Sequence, residues 1–206
     1  MRIVGGSFRG RRLAGPGRGK AQVRPTADRA REAIFQVLGG TVAGAAVVDL
    51  FAGTGAMGLE AASRGAAQVI FVENSRAMLS VIRQNISACL PDVASVRRES
   101  PHACRLHSST CDFILVQADL VRPFTRSQVC AANATAIDLI FCDPPYGWNH
   151  LDQLLQQIGR AGLMAGDGKL VVETETGARL PERCGALALC DTRRYGAACF
   201  WTYISW

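Results

Sequence analysis

Residues 45 to 90 restrict the fold more than any other stretch of this chain. An apolar run, "AAVVDLF", passes into a glycine turn, "AGTGAMG". A helical pattern, "AMGLEAASRG", closes on Gly65, and a second apolar run, "AQVIFVE", leads into a second helical pattern, "SRAMLSVIRQNISACL", with Ser75 as its predicted cap. Strands that are apolar along their whole length and separated by helices form a parallel sheet covered on both faces. The pattern returns later: "AIDLIFCD" reads as a strand, "HLDQLLQQIGRAG" as a helix and "GKLVVETE" as a strand. "GALALCDTRRYGAACFWTYISW" reads as two strands joined around Tyr195 and Gly196. The fold class is α/β, and 206 residues suffice for one such domain with a small appendage.

Two regions are less regular. "RIVGGSFRGRRL" has β-type residues broken by Gly5 and Gly6 and reads as a small hairpin with Arg9, Arg11 and Arg12 on one strand. A loop, "AGPGRGKAQ", follows, and then a helix capped by Thr26 with Ala30, Ala33, Ile34, Val37 and Leu38 as its apolar stripe, stopped by Gly39 and Gly40. In residues 91–135, "DFILVQAD" and "ASVRRE" compete for the third strand of the sheet. One of them is expected to take that place, and the rest to be a long loop insertion.

Gly53, Gly55 and Gly58 spell G-x-G-x-x-G, the spacing found in dinucleotide-binding turns. Ligands of open parallel sheets bind beyond the carboxyl ends of the strands, where this turn lies. Glu73 closes the second strand, placed to accept the two hydroxyls of a ribose. Nicotinamide dinucleotides and S-adenosylmethionine both carry such a ribose. Asp49 separates them, because a carboxylate just before the turn repels a pyrophosphate and favours a sulfonium or an ammonium.

"IFCDPPYGW", residues 140–148, points the same way. An exocyclic amine on a nucleobase is a poor nucleophile, because its lone pair is delocalised into the ring. The Asp143 carboxylate and the Pro144 carbonyl can accept its two N–H groups, Tyr146 can stack on the base, and Pro144 and Pro145 stiffen the turn. An ordinary turn after a strand is the plain alternative. The order of glycine turn, Glu73 and D-P-P-Y on successive strands argues against it.

Charge adds a polymer. The net charge is +6, but residues 1–38 hold nine Lys/Arg against two acids, a net of +7, so the rest of the chain sums to −1. A basic cluster of this kind neutralises phosphates. Eight cysteines (Cys89, Cys104, Cys111, Cys130, Cys142, Cys184, Cys190 and Cys199) include no C-x-x-C pair and are expected to be free thiols, with Cys142 and Cys199 buried in strands. His102, His107 and His150 are scattered, and no metal is expected. The start has no apolar signal region, and no run is long enough for a membrane span, so a cytoplasmic protein without a membrane partner is expected.

From "MRIVGGSFRGRRL" through "RPTADRAREAIFQVL", "VVDLFAGTGAMGLEAASRGA", "VIFVENS" and "IFCDPPY" to "RRYG", the chain resembles the RsmD-type bacterial methyltransferases, which methylate N2 of a guanine in small-subunit ribosomal RNA. The resemblance spans the chain apart from residues 91–135. It implies a Rossmann-like, seven-stranded S-adenosylmethionine-dependent methyltransferase fold over residues 25–206. Residues 1–24 would be a basic β-hairpin and loop for RNA contact. By similarity, Asp49, Phe51, Gly53, Gly55, Glu73, Asn74 and Asp119 would hold S-adenosylmethionine. Asp143, Pro144, Pro145 and Tyr146 would hold the target guanine, and Arg9, Arg11, Arg12, Arg24 and Arg29 the RNA. If residues 95–99 form the third strand, Glu99 competes with Asp119. The partner implied is small-subunit ribosomal RNA, within an assembling or assembled subunit, met by a monomer. A DNA amino-methyltransferase, an RNA-binding assembly factor without turnover and a nicotinamide oxidoreductase are the competing readings.

Overall fold

The computed structural model describes residues 1–15, 25–91, 93, 95–100, 102–122 and 136–206. Its centre is a parallel sheet of β1 (Ala46–Leu50), β2 (Gln68–Glu73), β5 (Asp112–Gln117), β6 (Ile137–Cys142) and β7 (Met164–Glu175). β9 (Leu187–Tyr195) and β10 (Ala198–Ser205) continue it antiparallel. With β3 (Ser95–Ser100), β4 (Ala103–His107) and the two-residue β8 (Arg183–Cys184), ten strands run in the order β3-β4-β5-β2-β1-β6-β7-β10-β9-β8 among the described residues. The expected seven strands are the contiguous block from β5 to β9, and three further strands lie outside it.

Side-chain alternation divides the interior into two apolar layers. Val47, Phe71, Phe113, Phe141, Val171 and Phe200 face α1 (Pro25–Leu38), α2 (Ala56–Ser63) and α3 (Arg76–Cys89), meeting Phe35, Leu59 and Ile86. Val48, Leu50, Ile70, Ile140 and Val172 face α4 (Leu151–Arg160), meeting Leu154, Leu155 and Ile158. Each such side chain contributes about 1.5–3 kcal/mol on burial, which is why the strands are apolar on both faces.

Residues 91–135 depart from the sequence expectation. β5 pairs parallel with β2 from Gln68↔Asp112 to Glu73↔Gln117, so "DFILVQ" is the third strand. "SVRRES" is also a strand, but it forms an antiparallel hairpin with β4 on the outer edge of β5. Glu99 therefore belongs to a strand two places away from β5. Both segments find ladder partners because the edge of a parallel sheet accepts an antiparallel hairpin as readily as a parallel strand. Local propensity gave no means of anticipating that outcome.

Smaller corrections concern the first helix and the N-terminus. Helix α1 begins at Pro25, so Thr26 lies inside it and is not its cap. The cap position, Arg24, falls outside the described residues. Val37 is exposed, and Phe35 takes its expected place in the core. The N-terminal segment closes on itself through a single bridge, Arg2↔Arg12, with the Ile3 N–H donating to Arg11 and the Leu13 N–H to Met1. Arg9 lies in the turn of this loop, not on a strand with Arg11 and Arg12. Cys142 and Cys199 are buried in strands and the seven described cysteines are free; Cys130 lies outside the described residues.

This segment belongs to the same apolar layer as α1, α2 and α3, through Ile3, Phe8 and Leu13. A fully buried acid on α2 holds it. The Glu60 carboxylate accepts the N–H groups of Val4 and Gly5, both at 2.8 Å, and the Nε–H of Arg64 at 2.8 Å. Ser63 accepts the Phe8 N–H at 2.8 Å and donates to the Gly5 carbonyl. Gly6, with φ +73°, passes so close to α2 that an added Cβ would collide with the Ser63 carbonyl. The "GG" of the opening motif is thus a packing requirement of the segment against the helix.

Candidate active site

Strand order reverses at β1, which lies between β2 and β6, so the crevice beyond the carboxyl ends of these strands is where ligands bind in this class of sheet. A cleft of about 300 Å³ opens there. It is lined by Phe51, Glu73, Asn74, Asp119, Asp143 and Trp148, among others. Five of these six were singled out from the sequence, and they come from the ends of β1, β2, β5 and β6. Asp49, Gly53, Gly55, Pro144 and Tyr146 do not line it.

Glu73 is oriented by the backbone around it. One carboxylate oxygen accepts the Gly53 N–H at 2.9 Å and the other accepts the Ser75 N–H at 2.9 Å. The carboxylate is fixed at the cleft wall by the glycine turn itself. Asp119 is exposed two residues beyond β5 and accepts the Val121 N–H at 3.1 Å. Because Glu73 and Gln117 are register partners, the two acids rise from adjacent strands.

Asp49 is placed differently. It is buried, and its Oδ2 accepts the Gly58 N–H at 2.9 Å. Gly58 is in the first turn of α2, whose cap residue, Gly55, has no side chain to satisfy an orphan amide. Asp49 caps the helix from the neighbouring strand. Burial pushes its pKa up to about 8 against the lowering effect of that amide, and the charges of Asp143 and Glu73 push the same way. Gly58 has a separate role: an added Cβ would collide with the ring of Phe71 and lie 2.7 Å from Val69 Cγ1, so its absence lets α2 pack directly on β2.

Phe51 follows β1 with φ +58°, a left-handed conformation that strains a bulky residue. Its ring meets Trp148 edge to face, with centroids 4.9 Å apart. That contact joins the glycine turn to the D-P-P-Y loop. Trp148 was not anticipated as a site residue, although it closes the motif that was. Tyr146 is 65% exposed at the mouth of a second groove of about 220 Å³, with Pro144, Pro145, Trp148, Glu173 and Thr174. Asp143 lines the first cleft and reaches water, yet the surrounding walls displace enough hydration to push its pKa up to about 6.

Arg12 and Arg29 meet at a cleft of about 620 Å³ that also contains Arg2, Asp28 and Glu32. Arg9 is exposed, and Arg11 donates to the Ala88 carbonyl at 2.9 Å. Arg24 lies outside the described residues. Arg31, by contrast, is buried, donating to the Arg2 carbonyl at 2.6 Å and to Asp28 at 2.9 Å.

A seven-strand core in this order, with acids at the ends of β1, β2 and β6 around a glycine turn, defines an α/β methyltransferase fold. The chain belongs to the family described as "Conserved hypothetical protein 95", whose model matches residues 1–119 and 103–204. The family match includes the whole of residues 91–135, the stretch that the sequence motifs left uncovered. The chain is 31% identical over 197 residues to "Putative rRNA methyltransferase YlbH" of Bacillus subtilis, across 95% of this chain and 94% of that protein. It is 30% identical over 181 residues to "Ribosomal RNA small subunit methyltransferase D" of Escherichia coli K12, across 88% and 78%. The solved structure "Putative methyltransferase yhhF from Escherichia coli" superposes with a TM-score of 0.71 at 26% identity, covering 100% of this chain and 97% of that one.

Proposed function

We propose that the protein transfers a methyl group from S-adenosylmethionine to the exocyclic N2 of a guanine in small-subunit ribosomal RNA. The observation that carries this reading is the meeting of Glu73, Asp119, Asp143 and Trp148 at one cleft beyond the strand-order reversal. The named relatives supply the substrate class: both are described as ribosomal RNA methyltransferases. The reading extends to a monomer acting in the cytoplasm on the subunit or its RNA.

The residues fit the cofactor. Glu73 presents a fixed carboxylate to a ribose, and Asp119 and Asn74 offer polar groups for an adenine beside apolar Phe51 and Val121. Such a cleft, largely apolar with a few placed polar groups, is the usual form of a small-molecule site. When bound, S-adenosylmethionine supplies an electrophilic methyl. Asp143 and the Pro144 carbonyl accept the N–H groups of the target amine and hold its lone pair available. Tyr146 stacks on the base. Asp143, raised towards neutrality, takes the proton that the methylated nitrogen sheds. Guanine N2 is buried in a stacked helix, so the base must be exposed or extruded to reach this groove. Arg9, Arg11, Arg12 and Arg29 would hold the flanking phosphates.

The test is transfer of labelled methyl to small subunits lacking modification, to naked ribosomal RNA and to duplex DNA, with the product nucleoside identified by mass. N2-methylguanosine in subunits or RNA is expected. N6-methyladenine in DNA would replace the RNA reading with the DNA one.

A further inference from the structure

Outside the residues already assigned, two acids, Glu173 and Glu175, line the groove of the D-P-P-Y loop, and Glu173 is the nearer to Asp143 in the ladder. Glu173 lies near the end of β7, the strand beside β6. Phe141 pairs with Val171 and Cys142 with Val172, so one step beyond the paired residues Glu173 stands beside Asp143. Phe141 and Val171 point into the same apolar layer, and period-two alternation turns Asp143 and Glu173 to that same side of the sheet. Burial pushes the Glu173 carboxyl up to about 8, the charge of Asp143 pushes the same way, and the positive charge of buried Arg31 on α1 pulls it down. Glu173 also lines the groove that Pro144, Pro145 and Tyr146 form. A half-buried acid next to another acid is unfavourable by itself, so its place at the substrate groove calls for a ligand that donates hydrogen bonds.

We infer that Glu173 is a specificity-determining residue that accepts the N1–H of the target guanine while Asp143 and the Pro144 carbonyl accept its N2 amine. The inference rests on the proposed guanine reaction and adds the means by which guanine is chosen. Guanine offers three N–H groups in a row along this edge, one at N1 and two at N2. Adenine and cytosine, the other bases with an exocyclic amine, present a bare ring nitrogen beside it. Once ionised, as it is above about pH 8, Glu173 repels that lone pair, whereas against N1–H it forms a charge-assisted hydrogen bond that itself favours the ionised form. Two adjacent carboxylates thus suit guanine and reject the bases that a D-P-P-Y site alone accepts. Discrimination of this kind is large because the rejected base leaves a desolvated acid unpaired.

The isosteric variant Glu173→Gln tests it, since glutamine can also donate a hydrogen bond. The substrates are small subunits reconstituted with RNA carrying either guanine or 2-aminopurine at the methylated position. 2-Aminopurine keeps the amine but lacks the N1 proton. At about pH 8.5, where Glu173 is ionised, wild-type protein is expected to favour guanine in kcat/KM by about tenfold to a hundredfold. In Glu173→Gln that ratio is expected to fall at least about tenfold while the S-adenosylmethionine Kd stays unchanged. An unchanged ratio, or equal loss of transfer to both bases with the cofactor still bound, overturns the inference. Failure of the wild-type protein to make any N2-methylguanosine would instead overturn the guanine reading on which it stands.

Discussion

The Glu73 carboxylate accepts the Gly53 N–H at 2.9 Å, tying the acid that ends β2 to the turn that follows β1. The ribose-binding group and the glycine turn are therefore one unit, and disturbing the acid disturbs both. Replacing Glu73 with Ala removes a charged acceptor from Gly53 and Ser75 as well as from the ligand. S-adenosylmethionine affinity is expected to fall by about 1.5–3 kcal/mol or more, at least tenfold in Kd. Isothermal calorimetry measures it, and an unchanged Kd would remove Glu73 from the cofactor site.

Asp143→Ala is expected to abolish methyl transfer while S-adenosylmethionine still binds measurably, because Asp143 acts on the amine. The wild-type rate should also fall on the acid side of about pH 6, where Asp143 becomes protonated and can no longer accept the proton. Single-turnover rates from pH 5 to 8 test both statements. Residual transfer in the variant above a few per cent refutes the assigned role.

Asp49 gives a stability signature. In the folded protein it keeps its proton up to about pH 8, whereas an unfolded aspartate loses it near about pH 4. The folded state therefore binds the extra proton between these values, and the contribution to stability is full below about pH 4 and lost as pH rises through about 8. Asp49→Asn keeps an oxygen for the Gly58 N–H and has no such slope. Melting curves at pH 5, 6.5 and 8.5 should show the variant gaining on wild type as pH rises. A difference independent of pH would mean that Asp49 ionises normally in the fold.

Glu60 anchors the N-terminal segment from a position with no exposure. Glu60→Ala leaves the N–H groups of Val4 and Gly5 without their acceptor and Arg64 without its partner at 2.8 Å. Breaking a buried, hydrogen-bonded charge costs about 3–5 kcal/mol. Urea unfolding should register a loss of that size, and limited trypsin digestion should cut first within residues 2–12. Near-wild-type stability would show that the Ile3, Phe8 and Leu13 contacts hold the segment unaided.

Charge reversal at Arg9, Arg12 and Arg29 is expected to weaken RNA binding and to flatten its salt dependence, with S-adenosylmethionine binding unaffected. Each lost phosphate contact lowers the slope of log K against log salt by about 0.7–0.9. Filter binding between 50 and 300 mM salt decides the matter. Normal RNA affinity at moderate salt would place the RNA surface elsewhere.

The sequence by itself determined the parallel core, because strands buried on both faces are apolar along most of their length, and "AVVDL", "QVIFVE", "DFILVQ" and "IDLIFC" are so whatever surrounds them. It also marked Glu73 and Asp143, since a carboxylate closing an apolar run has few reasons to be there other than the edge where ligands bind. The same signal, "LVVE", ends at Glu173, but only the register of β7 on β6 brings that acid beside Asp143. Tertiary structure decided what depends on distant neighbours. "SVRRES" became an edge hairpin strand once β5 offered an open ladder, and Asp49 turned into the cap of α2 because the helix start lacks a side chain of its own. Glu60 and Arg31 look in the sequence like solvated charges on amphipathic helices, yet the fold folds the N-terminal segment over them. Periodicity records which residues avoid water. Which polar groups find one another inside is set by three-dimensional proximity, and that is a property of the whole chain.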